Sequence, residues 1–536
     1  MSGPEDRNAT ERGGLNPRRD ATGRPASELI RGGAPQGLRT AGARPAGRFV
    51  LTAEGWSRLP EALAAERALA LLALWGGPGM VHAAFLDEAE EWAALLVSAP
   101  ASGGRYAALS PVRPGAVRFE RMVRDLWGLE AEGALDLRPW LDHGRWPVEA
   151  PLSSRPAPRA AAVPPQPEFL PVEGEGVHQI PVGPVHAGVI EPGHFRFHVQ
   201  GEAVVRLEER LGYTHKGTLS LMLGKSPRAA ARFAARLSGD STVAHSWAFA
   251  AAAEAATNTA PPPRALHLRA LMAELERIHN HLNDWGFVCN DAAFAFIHAR
   301  CGHLREGVLR AADRAFGHRL MMDRVLPGGV AIDIAHAGPE AILAALAAIE
   351  AEIPTLVRIQ EGHASLQDRL VGTGAVGSAL VARFAAGGFV GRAAGRAFDA
   401  RRAPGYAPYD DLDVGVPVFA EGDVDARVRV RIAELSESIR LVRRLLAELP
   451  EGETLVALPQ GAANRAGEGL ALVEGFRGEC LHWLRLDDGG LIQGVFLRDP
   501  SWLQWPLLEA AIENNIVADF PLCNKSFNCS YSGVDL

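Results

Sequence analysis

Cysteine is scarce in this chain. There are five, Cys289, Cys301, Cys480, Cys523 and Cys529, odd in number and widely spread over 536 residues. That pattern excludes a disulfide framework and fits a reducing, cytosolic environment. Long apolar runs are lacking too. "AILAALAAIEAEI" (341–353) carries acidic residues, and no run reaches the roughly 20 residues that span a bilayer. No apolar signal-type core follows Met1. The sequence therefore predicts membrane contact only through a partner. Positive charge is not in excess: the formal charge is −8. This argues against nucleic acid as a partner, because phosphate binding needs a basic surface.

What is present reads as a multidomain globular protein, 47% apolar and 22% charged. Residues 1–47 are rich in Gly, Pro, Arg and Ala without periodicity, which predicts a disordered tail. Residues 48–149 predict a small α+β domain. In it "ALLALWGGPGMVHAAFLD" (70–87) suggests a helix, a turn and a strand, and "FERMVRDLWGLEAEG" (119–133) an amphipathic helix. Residues 150–169 are Pro- and Ala-rich and predict an extended linker. The remainder, 170–536, opens on strands ("HFRFHVQGEAVVRLEERLGY", 194–213), turns helical after about 226 and returns to short strands in the last ninety residues. In the segment 264–284, Leu268, Leu271, Leu275, Ile278 and Leu282 recur at helical steps. The fold class predicted is α+β: a small α+β domain, then a mainly helical bundle with small peripheral sheets.

The stretch "RLSGDSTVAHSWAFAAAAEAA" (236–256) poses a question. Ser238 and Ser241 stand at the spacing of a metal-binding C-x-x-C, with no cysteine between or at them.

Several motifs follow one another in a telling order. "FERMVRDLWGLEAEGALDLRPWLDHGRWP" (119–147) resembles the 30-kDa-type subunit of respiratory complex I. "GPVHAGVIEPGHFRF" (183–197), "RLGYTHKGTLSLM" (210–222), "ELERIHNHLNDWGFVCNDAAF" (274–294) and "LPGGV" (326–330) resemble the large subunit of [NiFe] hydrogenases and its 49-kDa complex I relative. So do "GTGAVG" (372–377), "YAPYDDLDVGVP" (406–417), "EGFRGECLHWLRLDDG" (474–489) and the segment 497–528. The chain is thus similar to a fusion of two complex I-type subunits, as in group 4 energy-converting hydrogenases of the formate hydrogenlyase type.

That resemblance implies four thiolate ligands for nickel and iron, at Ser238, Ser241, Ser530 and Gly533 of this sequence. Soft, anionic, bridging sulfur suits these metals. All four are missing, so no nickel–iron centre is expected. Cys523 and Cys529 read as small apolar side chains of a packed segment. A glutamate tied to proton transfer in hydrogenases is replaced by Leu219. In the complex I relatives the same cavity receives a quinone headgroup, met by a histidine, an aspartate behind it and a tyrosine. His186 and His194 both match the histidine, with His194 preferred because it directly precedes a strand. Asp291 matches the aspartate. The tyrosine position is Gly239.

The resemblance further implies an oxidoreductase subunit, NADH dehydrogenase-like but with any NADH oxidation in another chain. It would act only within a complex at the cytoplasmic face of a membrane. The chain itself would bind no cofactor. A 4Fe-4S cluster in a small iron–sulfur partner would supply electrons, an acceptor such as a quinone would take them, and antiporter-like membrane-arm subunits would move ions. A non-catalytic scaffold is the alternative, and a working [NiFe] hydrogenase the third reading. His245 is read as a structural hydrogen-bonding group. Glu274, Glu276, Arg277 and His281 are read as a bonded polar network, because unpaired buried charge costs several kcal/mol. The acids of 406–417 are read as facing solvent or a partner.

Overall fold

The computed structural model describes residues 26–40, 46–89, 93–160, 163–186, 190–459 and 466–536. The N-terminal part contains α1 (Ala26–Arg31), β1 (Ala34–Pro35), β2 (Arg39–Thr40), β3 (Gly47–Val50), α2 (Ala53–Ala65), β4 (Leu69–Gly77), β5 (Met80–Asp87), β6 (Ala93–Pro100) and α3 (Ala116–Trp127). One sheet forms in the order β1-β3-β6-β5-β4, with β3 parallel to β6 and the other pairs antiparallel. Thr52 caps α2 by accepting the Gly55 N–H at 3.0 Å. Gly128, at φ 67°, ends α3 in the left-handed conformation that glycine adopts without a Cβ clash.

Two expectations are corrected here. The stretch 70–77 is strand β4, not a helix, and forms a hairpin with β5. Every residue of β4 is buried, so both its faces are apolar and the alternation that marks a strand is lost. Residues 26–40 are not a free tail. Ala26 and Ile30 are fully buried, and Glu66 accepts hydrogen bonds from the Ser27 N–H (3.0 Å) and hydroxyl (2.9 Å). Residues 1–25 and 41–45 of the expected tail lie outside the described residues.

The linker region is largely irregular, apart from the short pairing of Val148–Glu149 with Ala157–Pro158. Beyond it, β7 (Val177–Val182), β8 (His194–Gln200) and β9 (Ala203–Arg210) form an antiparallel sheet. The bundle follows: α4 (Thr242–Thr257), α5 (Pro263–Asp291), α6 (Ala295–Phe316), α7 (Gly338–Gly362) and α8 (Val424–Ala447). Helix α5 packs on α6 and α8, and α4 on the sheet that comes after them. That sheet comprises β12 (Glu468–Gly475), β13 (Gly478–Leu486) and β14 (Ile492–Arg498), numbered after the hairpin β10 (Val325–Leu326) and β11 (Gly329–Val330). Strand β2, from the far N-terminal segment, joins its free edge parallel to β12. Helices α9 (Ser501–Ala511) and α10 (Phe520–Phe527) lead to the buried C-terminal residues.

The two domains share one core. Trp75 of β4 stacks on Phe496 of β14 at 5.0 Å and 6°, and Phe119 of α3 on Trp502 of α9 at 4.8 Å. Arg118 reaches Glu209 (2.5 Å) and Glu509 (3.1 Å), and Arg48 reaches Glu468 (2.8 Å), all across the boundary.

Candidate functional site

Ser238 and Ser241 lie in the turn that leads into α4, and Ser530 and Gly533 in the segment after α10. The fold brings all four together. The Ser238 and Ser530 hydroxyls hydrogen-bond at 2.8 Å, although 292 positions apart. The Gly533 N–H donates to Ser530 Oγ at 3.0 Å. Between them runs Arg477, from the turn joining β12 and β13. Its Nη1 donates to Ser241 Oγ (3.0 Å), Ser238 Oγ (3.4 Å) and Asp240 Oδ1 (2.7 Å), and its Nη2 to Asp240 Oδ2. Burial opposes ionisation of Asp240, but Arg477 outweighs it and holds the carboxyl below its ordinary value.

The wall behind is also polar. His245 of α4 bridges Asp499 (Nε2 to Oδ2, 2.9 Å) and His482 (Nδ1 to Nε2, 3.0 Å), all fully buried. A Cβ built on Gly533 would stand 2.7 Å from Asp499 Cγ, so a side chain there requires Asp499 to move. Glu276 accepts the Val243 and Ala244 N–H groups (2.7 and 3.0 Å) at the start of α4, and burial pushes its carboxyl up to about 8.

The polar face of α5 is not a solvent face. Glu274 accepts from Arg401 (2.9 Å), Ser438 (2.6 Å) and the Tyr409 hydroxyl (2.5 Å). Glu434 of α8 bonds His281 (2.7 Å) and Arg392 (2.7 Å). Burial would raise the Glu434 carboxyl, but Arg392 and His281 hold it well below the usual range. In the segment 406–417 Tyr406 and Tyr409 are buried, while Asp410, Asp411 and Asp413 are exposed.

Both nitrogens of His194 are engaged: Nδ1 with the Gly183 carbonyl (3.3 Å), Nε2 as acceptor from Arg196 (3.4 Å). Its ring faces Phe169 of the linker at 5.2 Å. His186 differs. Its ring lies 5.5 Å from Phe195 and 6.5 Å from Tyr531, next to Ser530, and its buried Nε2 has no partner among the described residues. Burial lowers the proton affinity of both histidines. Asp291, at the end of α5, is raised by burial against the pull of Lys525. It pairs with neither Arg277 nor Arg300, which take other acids. Among the described residues no hydrogen bond, ion pair or ring contact links Asp291 to either histidine. A Cβ on Gly239 meets nothing within 4 Å, and Leu219 is buried.

Comparison with known proteins now places this architecture. Residues 216–285 match the nickel-dependent hydrogenase model and residues 297–465 that of the 49 Kd subunit of respiratory-chain NADH dehydrogenase. Formate hydrogenlyase subunit 5 of Escherichia coli (strain K12) is 30% identical over 454 residues, covering 83% of this chain and 79% of the relative. The chain belongs to the family of fused complex I / group 4 hydrogenase large subunits. The carbon monoxide-induced hydrogenase of Rhodospirillum rubrum is 28% identical, over 66% of this chain and 97% of its own. An NADH-quinone oxidoreductase subunit of Dehalococcoides mccartyi (strain ATCC BAA-2266 / KCTC 15142 / 195) is 29% identical over the same shares.

At the positions that the resemblance assigns to the metal ligands, the chain carries no sulfur donor. Three neutral hydroxyls and one bare backbone position stand where soft sulfur anions are needed, and a guanidinium spans them. This set does not fit a nickel–iron centre. Sequence reasoning missed Arg477, Asp240 and Asp499 as pocket residues. The family motif 474–489 contained Arg477, and that was the available signal.

Proposed function

We propose that the chain is an electron-transfer subunit of a membrane-associated complex, acting without nickel or iron of its own. A small iron–sulfur subunit would cover the open face at Gly239 and Asp240, and membrane-arm subunits would complete the assembly at the cytoplasmic side. No helix among the described residues is long and apolar enough to cross a membrane, so membrane contact would run through those partners. The observation that supports this reading is one bonded cluster, in which Arg477 donates to Ser238 and Ser241, Ser238 bonds Ser530, and Ser530 accepts the Gly533 N–H. These are the positions that the resemblance assigns to the metal ligands, and their side chains supply no sulfur donor.

The acceptor is a quinone-like carbonyl compound. Its reduction takes two electrons from the partner's cluster and two protons. The developing anionic oxygen needs donors nearby. His186 suits this better than His194, because its buried Nε2 has no partner among the described residues, whereas both His194 nitrogens are already bonded. Asp291, with its raised proton affinity, serves as the proton reservoir. Ion movement would be coupled to this step.

The test is reconstitution with the partner subunits. Wild-type complex should reduce a short-chain quinone and contain less than stoichiometric nickel by elemental analysis. His186→Ala and Asp291→Asn should each slow turnover about 10- to 100-fold with assembly intact. Stoichiometric nickel would overturn the reading. Unchanged turnover in both variants would instead favour a scaffold, a reading that the Arg477–Asp240 pair spanning the chamber supports.

A further inference from the structure

We propose that the cavity between α4, the start of α5 and β12 is a second small-molecule site, one that takes a neutral, largely apolar compound carrying a carbonyl acceptor. The cavity measures about 570 Å³, within the range of sites that enclose small ligands. It lies toward the C-terminal half of α4, away from the serine cluster that precedes this helix. Ala251, Ala255, Leu266 and Leu472 give it apolar walls.

The charges on its floor are already matched. Arg269 donates to both Glu254 oxygens, at 3.0 and 2.5 Å, and Glu254 also accepts the Gly328 N–H at 2.7 Å. A charged ligand would find no free counter-ion in this pair, and burying unpaired charge is costly. Two donors, in contrast, remain unused. Trp247 is 2% exposed and lines the cavity, and its indole N–H has no acceptor among the described residues. Tyr406, also lining the cavity, accepts the Glu474 N–H at 3.0 Å, but its own hydroxyl proton has no acceptor there. The two rings meet edge to face at 5.2 Å. An indole can only donate, so an N–H that opens on the cavity is left to solvent or to a ligand's acceptor. A carbonyl oxygen supplies the missing acceptor.

The experiment uses the full-length chain and coumarin, a flat neutral lactone, in equilibrium dialysis. The wild type should bind it saturably at one site. Trp247→Phe, which keeps the ring and removes the N–H, should weaken binding roughly threefold to tenfold. Ala255→Phe should fill the cavity and abolish binding while leaving the melting temperature near that of the wild type. If Ala255→Phe does not fold, Leu472→Trp carries the same test. Absence of saturable binding to the wild type, or undiminished binding in Trp247→Phe or in the folded cavity-filling variant, overturns the proposal.

Discussion

At the scale of single residues, Gly533 is the most constrained position of the serine cluster. Its missing side chain leaves the space into which Asp499 leans. Gly533→Ala should therefore destabilise the protein by about 1–3 kcal/mol in urea unfolding, through overpacking against a carboxylate that His245 already holds. Gly533→Cys should do the same without bringing nickel. Glu276 yields a prediction about pH. Its carboxyl, raised to about 8 by burial, binds a proton in the folded state that the unfolded chain releases above about 4.5. Its contribution is thus full below that value and lost as pH rises towards 8. Unfolding of Glu276→Gln, compared with wild type across this window, should show the variant gaining relative stability by on the order of 1 kcal/mol per pH unit. The spacing of Ser238 and Ser241 was legible in the sequence because it is local. The Arg477–Asp240 pair was not, since 237 positions separate its members and only the folded turn between β12 and β13 aligns them.

At the scale of elements, α5 and α8 show how a charged helix can lie inside a bundle. Periodicity pointed to one apolar face through Leu268, Leu275 and Leu282, and those residues are buried. The polar residues were legible as a network, but their partners Arg401 and Glu434 come from elements more than a hundred positions away. Glu434→Gln should cost about 3–5 kcal/mol in chemical denaturation, because it strands Arg392 without one of its buried carboxylates. On the outer side of the same α8, Arg443 pairs with Glu350 in solvent, and Arg443→Ala should change stability by no more than about 1 kcal/mol. Strand β4 escaped the sequence reading for the opposite reason. It is buried on both faces, so nothing in its composition distinguishes it from a core helix.

At the scale of the whole molecule, the N-terminal sheet and the C-terminal part meet in a shared core. Trp75, Phe119, Phe496 and Trp502 belong to one aromatic layer. Residues 170–536 expressed alone should expose that layer and self-associate, visible as a shift to larger species in size-exclusion chromatography. The joint was not legible in the sequence, because each half presents apolar residues that a single-domain core would also explain. Strand β2 adds a last consequence. It precedes the first domain in the chain yet pairs with β12 of the second, while the Pro-rich segment near Val163 runs outside, with that residue 90% exposed. The β2 strand thus adds a clasp beside the covalent tether and the shared core. A protease cut near Val163 should therefore yield two fragments that travel together in native mass spectrometry and separate only under denaturant.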